Sequence, residues 1–278
     1  MNIRDIVARA LAEDFGAGDV TTQSLFPEGV PAVGTVVAEE CEGLVVAGLA
    51  VAVEVFRQVD PSLACAPNVA DGDRVPRGAT VLTVTGDGRS VLKGERVALN
   101  FLQRLSGIAT LTAKFCEAVK GTRARILDTR KTTPGLRALE KWAVTLGGGH
   151  NHRSSLADGI LIKDNHLALA GGDIARACRL ARERAPHGLK IEAEVRTLED
   201  VRAALDGGAD IILLDNMDVP SIRKAVEQVK GRAVIEVSGG VSLTNVLEIA
   251  AAGPDYISVG ALTHSAPASN LSMDIVPR

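Results

Sequence analysis

The chain has 278 residues, 46% hydrophobic and 23% charged, with a formal net charge of −3 and a pI near 6.0. That length and balance support a sizeable core in one large or two small domains and exclude intrinsic disorder. Aromatics are only 3%, with one Trp and one Tyr, so neither a stacking platform nor a net positive field for nucleic acid is present.

The N-terminal segment reads as an amphipathic helix, with Ile3, Ile6, Val7, Ala10 and Leu11 at helical spacing. Arg4, Asp5, Arg9 and Glu13 interrupt any secretory core. The longest apolar stretch, 44–53, is too short to span a membrane. Cys41, Cys65, Cys116 and Cys178 form no C-x-x-C pair, which fits a reducing compartment. The expectation is a soluble, cytoplasmic protein with no nucleic-acid or membrane partner. Residues 1–92 contain no lysine. There, β-like runs at 33–39, 44–46 and 80–85 flank a helical stretch at 47–59, with turns expected at Asp71-Gly72-Asp73 and Gly86-Asp87-Gly88. This pattern predicts a small α+β domain. A long helix follows over 94–119, with Val97, Phe101, Leu105, Ile108 and Thr112 on one face and a bend expected at Gly107.

From residue 123 short apolar runs alternate with helices. The runs are 125–129, 159–163, 190–195, 210–215, 234–238 and 256–260; the later helices are 173–185, 198–205, 220–230 and 243–251. Such repeats imply a parallel sheet covered by helices. A full eightfold barrel needs about 200 residues or more, so an incomplete α/β barrel fits better, with a doubly wound sheet as the structural alternative. The expected division is 1–104 and 105–265, with the tail 266–278 packing on the first domain.

The strand ends carry the chemistry, as parallel α/β folds require. Asp128-Thr129 leads into Arg130-Lys131, Ile162 into Lys163, and Leu214 into Asp215. Glu192 and Glu194 share one strand face, and Glu194 is preferred as nearer the C-terminal end. Ser238-Gly239-Gly240 and Gly260 follow the last two strands, where glycine lets backbone N–H groups approach a phosphate. Residues 124–163 hold seven Lys/Arg against three Asp/Glu, and 147–153 reads Gly-Gly-Gly-His-Asn-His-Arg. Arg130, His152, Arg153 and Lys163 at strand–loop junctions suit a ligand carrying carboxylates and phosphates. No P-loop, G-x-G-x-x-G, nucleophile elbow or His/Cys metal cluster occurs; oxygen donors beside phosphates suggest Mg2+.

Four segments resemble the quinolinate phosphoribosyltransferase family: Asp128-Thr129-Arg130-Lys131-Thr132-Thr133-Pro134-Gly135-Leu136-Arg137, Glu140-Lys141-Trp142-Ala143-Val144, Gly147 to Leu156, and Ile162-Lys163-Asp164-Asn165-His166. Glu95-Arg96 with 100–110, Leu213 to Met217, Glu236 to Gly240 and Val259 to Ser265 extend the resemblance. It implies an N-terminal α/β sandwich plus an open, seven-stranded α/β barrel. It also implies transfer of phosphoribose from phosphoribosyl pyrophosphate to quinolinate with decarboxylation, giving nicotinate mononucleotide, pyrophosphate and CO2 in NAD synthesis. By the same resemblance Arg130, His152, Arg153, Lys163 and Thr129 hold substrate, and Lys131 neutralises departing pyrophosphate. Glu194 and Asp215 hold Mg2+ and stabilise the reacting ribose. Ser238, Gly239, Gly240, Gly260 and His264 surround the 5-phosphate. A homodimer or higher homo-oligomer is implied, with Arg96 reaching the partner's site. Taken alone, the residues leave open another heteroaromatic acid or a non-catalytic scaffold. Residues 71–82 also resemble a biotinyl or lipoyl hairpin, but no lysine precedes Lys93 to carry such a group.

Overall fold

The computed structural model describes residues 2–278. The first elements are α1 (Ile3–Phe15), α2 (Val20–Leu25), β1 (Pro31–Ala38), β2 (Leu44–Val45), α3 (Leu49–Val59), β3 (Ala64–Pro67), β4 (Arg74–Val75), β5 (Thr80–Asp87) and α4 (Gly88–Ala118). Next come β6 (Arg125–Leu127), α5 (Arg137–Leu146), β7 (Ile160–Ile162), α6 (Asp164–Leu169), α7 (Ile174–Arg184), β8 (Ile191–Val195), α8 (Leu198–Asp206) and β9 (Ile211–Asp215). The chain ends with α9 (Val219–Val229), β10 (Val234–Ser238), α10 (Val246–Ala251), β11 (Tyr256–Ser258), α11 (Ala261–His264) and β12 (Leu271–Pro277). Two compact units result. One runs up to Ala113 and includes Thr132–Gly148 and Thr263–Arg278; the other joins Lys114–Lys131 to Gly149–Leu262.

The first unit is built on an antiparallel sheet in the order β12-β1-β5-β3. β1 alternates strictly, burying Ala32, Gly34, Val36 and Ala38 while the residues between lie nearer solvent, so period-2 patterning selects the inner face. α3 buries Val51, Ala52, Val55 and Phe56. Its N-terminus begins at Gly48, which has no capping side chain; the Asp71 carboxylate instead accepts from Gly48 N at 2.7 Å and Leu49 N at 3.0 Å. The 71–82 segment is thus a structural brace here. The expected turn at Gly86-Asp87-Gly88 is absent: β5 runs through Asp87 directly into α4. α4 also continues through Gly107 as one helix. Glycine stands there because a Cβ would collide with the Pro267 carbonyl oxygen. That close approach is pinned by Ser269 N donating to Gln103 O at 2.9 Å.

Glu140 on α5 anchors the loop of this unit that precedes it. Its fully buried carboxylate accepts from Arg104 Nη2 at 2.8 Å and Nε at 3.1 Å, and from Thr133 N at 3.0 Å and Oγ1 at 2.7 Å. Arg104 also donates to the Thr263 and Ala266 carbonyls. One acid therefore ties α4, the 132–136 loop and α5 together.

The second unit is a parallel sheet in the order β7-β8-β9-β10-β11-β6. The six apolar runs expected from residue 123 are these six strands. Pairing of the first strand, β6, with the last, β11, is barrel wrapping and excludes the doubly wound alternative. The seventh strand implied by the resemblance is reduced to one bridge. His150 pairs in parallel with Leu127, its N donating to Ile126 O at 2.8 Å and its O accepting from Asp128 N at 3.1 Å. Pairing stops there because the next residue pair turns inward: His152 N donates to the Asp128 carboxylate at 2.8 Å and leaves the ladder. Outside the sheet α7, α8 and α9 start on side-chain caps, Asp173, Thr197 with Asp200, and Asp218.

Replacing Glu140 with Ala leaves the Arg104 and Thr133 donors facing an apolar void. Unfolding free energy in urea is expected to fall by about 3–5 kcal/mol, the usual loss when one partner of a buried ion pair is removed.

Candidate active site

The C-terminal ends of the parallel strands open on a cleft of about 450 Å3. Every strand of the second unit delivers polar groups to it, because a residue just past the sheet escapes the apolar packing that the strand interior demands. Nine of the residues expected from the sequence line this cleft: Thr129, Arg130, Lys131, His152, Arg153, Lys163, Glu194, Asp215 and Ser238.

On one side the charge is positive. Arg153 is held below the usual guanidinium range by burial and by neighbouring Arg130. Two guanidiniums held together in a half-buried wall repel each other until an anion arrives, which makes this wall a carboxylate or phosphate receptor. Arg153 also donates to Gly159 O at 3.1 Å, which fixes its direction.

A second group in the cleft is acidic. Burial and the Asp215 charge raise the Glu194 pKa, which Lys163, 3.9 Å from the carboxylate, partly offsets. Asp215 accepts from Ser238 Oγ at 3.1 Å and from Asn216 Nδ2 at 3.0 Å. Arg196, a residue the sequence reading did not single out, spans this group from Asp164 (3.2 Å) to Asp215 (3.4 Å). Two adjacent carboxylates that repel each other form a donor set suited to a hard divalent cation.

Beneath the cleft lies a third group. His152 Nε2 is 3.0 Å from Glu192 Oε2 and 3.7 Å from Glu236 Oε1, and Nδ1 accepts from Arg153 N at 3.0 Å. In the neutral ring the proton therefore sits on Nε2, facing the acids. Burial opposes a charge on His152, but the hydrogen bond to Glu192 and the field of Glu236 outweigh it and raise its pKa. One ligand atom from each of the three residues lies within 4.8 Å of the others. Glu192 was passed over in favour of Glu194, although strand alternation puts both on one face. Glu236 begins the family-like segment 236–240, but inside an apolar strand its position suggests no role.

The glycines after β10 adopt left-handed backbone, φ +90° at Gly239 and +61° at Gly240. A Cβ on Gly239 would strike the Asn216 side chain, whereas Gly240 faces open space. Asn216 is itself left-handed at φ 54°, a conformation Asn tolerates better than most residues. Gly260 directly follows the strand β11 and Val259 and precedes α11. Arg96 and His264 lie in the first unit, and neither lines the cleft. Arg96 stands on α4, more than half exposed, with Glu95 at 3.7 Å; His264 Nδ1 is 2.6 Å from Ser265 Oγ.

A barrel-like sheet whose strand ends face an arginine pair with an acid pair is the site of an enzyme that handles a multiply charged anion. The comparisons make that class specific. Residues 19–106 match the model of the N-terminal domain of quinolinate phosphoribosyl transferase, and 108–274 match its C-terminal domain. The chain belongs to the quinolinate phosphoribosyltransferase family. It is 44% identical over 278 residues to the nicotinate-nucleotide pyrophosphorylase [carboxylating] of Mycobacterium leprae, covering 98% of this chain and 96% of that one. With the probable enzyme of the same name from Bacillus subtilis it shares 40% over 275 residues, covering 99% and 94%. The crystal structure of NadC from Streptococcus pyogenes superposes with a TM-score of 0.93 at 42% identity, covering 99% of this chain and 97% of that one.

Gly240→Ala should cost about 1 kcal/mol, the strain of a left-handed alanine alone. Gly239→Ala adds the collision with Asn216 and should cost at least about twice as much. Urea unfolding of the two variants side by side checks the difference.

Proposed function

We propose that this chain joins quinolinate to phosphoribosyl pyrophosphate and releases pyrophosphate and CO2, leaving nicotinate mononucleotide for NAD synthesis. The observation that carries the reading is a cleft that holds both an arginine pair and an acid pair. Quinolinate is a small dianion with two carboxylates beside a ring nitrogen. Arg130, Arg153 and Lys163 offer it planar and point-charge partners, with His152 adding positive field. Each charge-assisted hydrogen bond contributes about 1.5–3 kcal/mol, so several together offset the dianion's desolvation. Thr129 supplies a hydroxyl at the same strand end.

Phosphoribosyl pyrophosphate lies, in this reading, along the acidic side. Ser238, Gly239, Gly240 and Gly260 receive its 5-phosphate on left-handed backbone that favours glycine at 239 and 240. Glu194 and Asp215 fit Mg2+ by their hard, mutually repelling oxygens. Bound there, the ion supplies charge neutralisation for pyrophosphate. The same two carboxylates stabilise positive charge as it develops at the ribose C1, and Lys131 neutralises the departing pyrophosphate. Attack by the pyridine nitrogen makes a pyridinium. The positive ring nitrogen then accepts the electron pair left when the adjacent carboxylate departs, so positioning and charge neutralisation carry most of the catalysis. Arg96 completes the basic wall from a second copy of the chain in a homodimer or higher homo-oligomer. Its exposure on α4 supports that role. Four free cysteines support a cytoplasmic setting.

Incubating the protein with quinolinate, phosphoribosyl pyrophosphate and Mg2+ should give nicotinate mononucleotide and CO2 in equal amounts; nicotinate, run in parallel, should give none. Binding of phosphoribosyl pyrophosphate without any product from quinolinate would move the enzyme to another acid substrate. Lys131→Ala and Glu194→Ala should each lower kcat by about 10²–10³-fold with unfolding curves unchanged. Unimpaired turnover in both would remove the site assignment. Within one turnover pyrophosphate should appear no later than CO2, and the reverse order would overturn the sequence of steps.

A further inference from the structure

Decarboxylation leaves a requirement to which no residue has yet been assigned. When the C–CO2 bond breaks, its electron pair stays on the ring carbon beside the positive nitrogen. Nicotinate mononucleotide carries a hydrogen at that carbon, so a proton must be delivered there. Among the cleft-lining acids Asp164 is exposed and paired with Arg196 at 3.2 Å, while Glu194 and Asp215 face the ribose in the reading above, and their task requires them ionised.

Glu236 is placed differently. It sits on β10, only 3% exposed, yet its side chain lines the floor of the cleft, while Glu192 does not reach the lining. The groups packed round it are Glu192 from β8, His152 and Asp128 from the strand ends on its other side, and Ser258 from β11. The one cation of the cluster serves the other acid. His152 Nε2 is within hydrogen-bond distance of Glu192 and 3.7 Å from Glu236, and no Lys or Arg nitrogen pairs with Glu236 among the described residues. Glu192 Oε1 is buried with no hydrogen-bond partner among them, which adds to the negative field Glu236 feels. An ionised Glu236 would be a second buried carboxylate beside Glu192, with a single imidazole between them.

We propose that Glu236 is a further catalytic residue of this reaction: it enters the cycle as the neutral acid and delivers its proton to the ring carbon that loses CO2. The inference rests on the function proposed above. In the step, the ring C–carboxylate bond breaks and CO2 leaves without the bonding pair. That pair takes the Glu236 O–H proton to form the new C–H bond. Glu236 is left as a carboxylate and regains a proton from water through the cleft it lines. Burial, then the Glu192 charge, push its pKa up to about 7, so the acid form is populated at neutral pH and is lost as pH rises through that value. His152 and Glu192 are positioning residues in this scheme: their mutual hydrogen bond keeps the proton on Glu236.

The test is a single turnover of the wild-type holoenzyme and of Glu236→Gln, with Mg2+, in which pyrophosphate and nicotinate mononucleotide are quantified in the same quenched samples. Gln keeps the shape and polarity but has no acidic proton. Pyrophosphate should form within about threefold of the wild-type rate, while nicotinate mononucleotide should slow by about 10²-fold, a usual contribution of a general acid, with the ribosylated diacid accumulating. Equal slowing of both products, or of neither, would remove Glu236 as the donor. Should Glu236→Gln not fold, the wild type alone decides. Its mononucleotide formation should lag further behind pyrophosphate as pH rises above about 7, and the two staying in step across the alkaline range would overturn the proposal. Absence of any mononucleotide from wild-type enzyme would instead overturn the functional reading itself.

Discussion

Everything this chain does depends on six strands pointing the same way. Parallel pairing gives every strand of the second unit its C-terminal end on one rim, so chemistry can be collected there from residues far apart in sequence. The register fixes who meets whom. Glu194 lies beside Leu213, which lies beside Glu236, and Ser238 lies beside Asp215. A one-residue slip in β10 would carry Glu236 away from the interior and take Ser238 from Asp215 together. The site is thus a property of the sheet's alignment more than of any one loop.

That alignment also explains why a barrel interior can hold three ionisable groups. Apolar packing would normally exclude them. Here two of the three have a defined counterpart: Glu192 has the His152 Nε2–H, and His152 is itself tied by its backbone to Asp128 and by Nδ1 to Arg153. The same imidazole therefore couples the basic wall to the buried acids. Anion capture by Arg153 and the state of the buried acids share one short chain of contacts, at a depth where water screens little.

The barrel was legible because its strands are unbroken apolar runs ended by charge, and its helices carry regular spacing. Seven of the nine expected cleft residues stand at those strand ends, and His152 and Arg153 were legible from the glycine-rich run 147–153. The less legible parts each have a physical cause. β3 exposes most of its short length, so it has no inward apolar pattern. α5 buries Glu140 and Lys141, so polar residues sit where the helical pattern calls for apolar ones. α6 buries none of its residues. Glu236 escaped because a buried acid inside an apolar run gives no local signal. Its meaning comes from His152 and Glu192, 84 and 44 positions away by residue number, brought near only by the wrapped sheet. Arg196 and Asn216 follow strand ends already noted, and proximity to Glu194 and Asp215 was the available clue.

β12 gives the first unit's sheet an order of assembly. It is the edge strand beside β1, pairing from Ala32↔Pro277 to Ala38↔Leu271. During synthesis β1 is made long before its neighbour β12, because every other strand lies between them in the chain. Until then one long side of β1 holds open backbone donors and acceptors, with β5 alone on the other side. The parallel sheet between them in sequence needs no part of β12. A nascent chain halted before residue 271 therefore presents an unpaired strand edge on a sheet that already contains most of its fold, the form in which such a chain is most prone to pair with a neighbour.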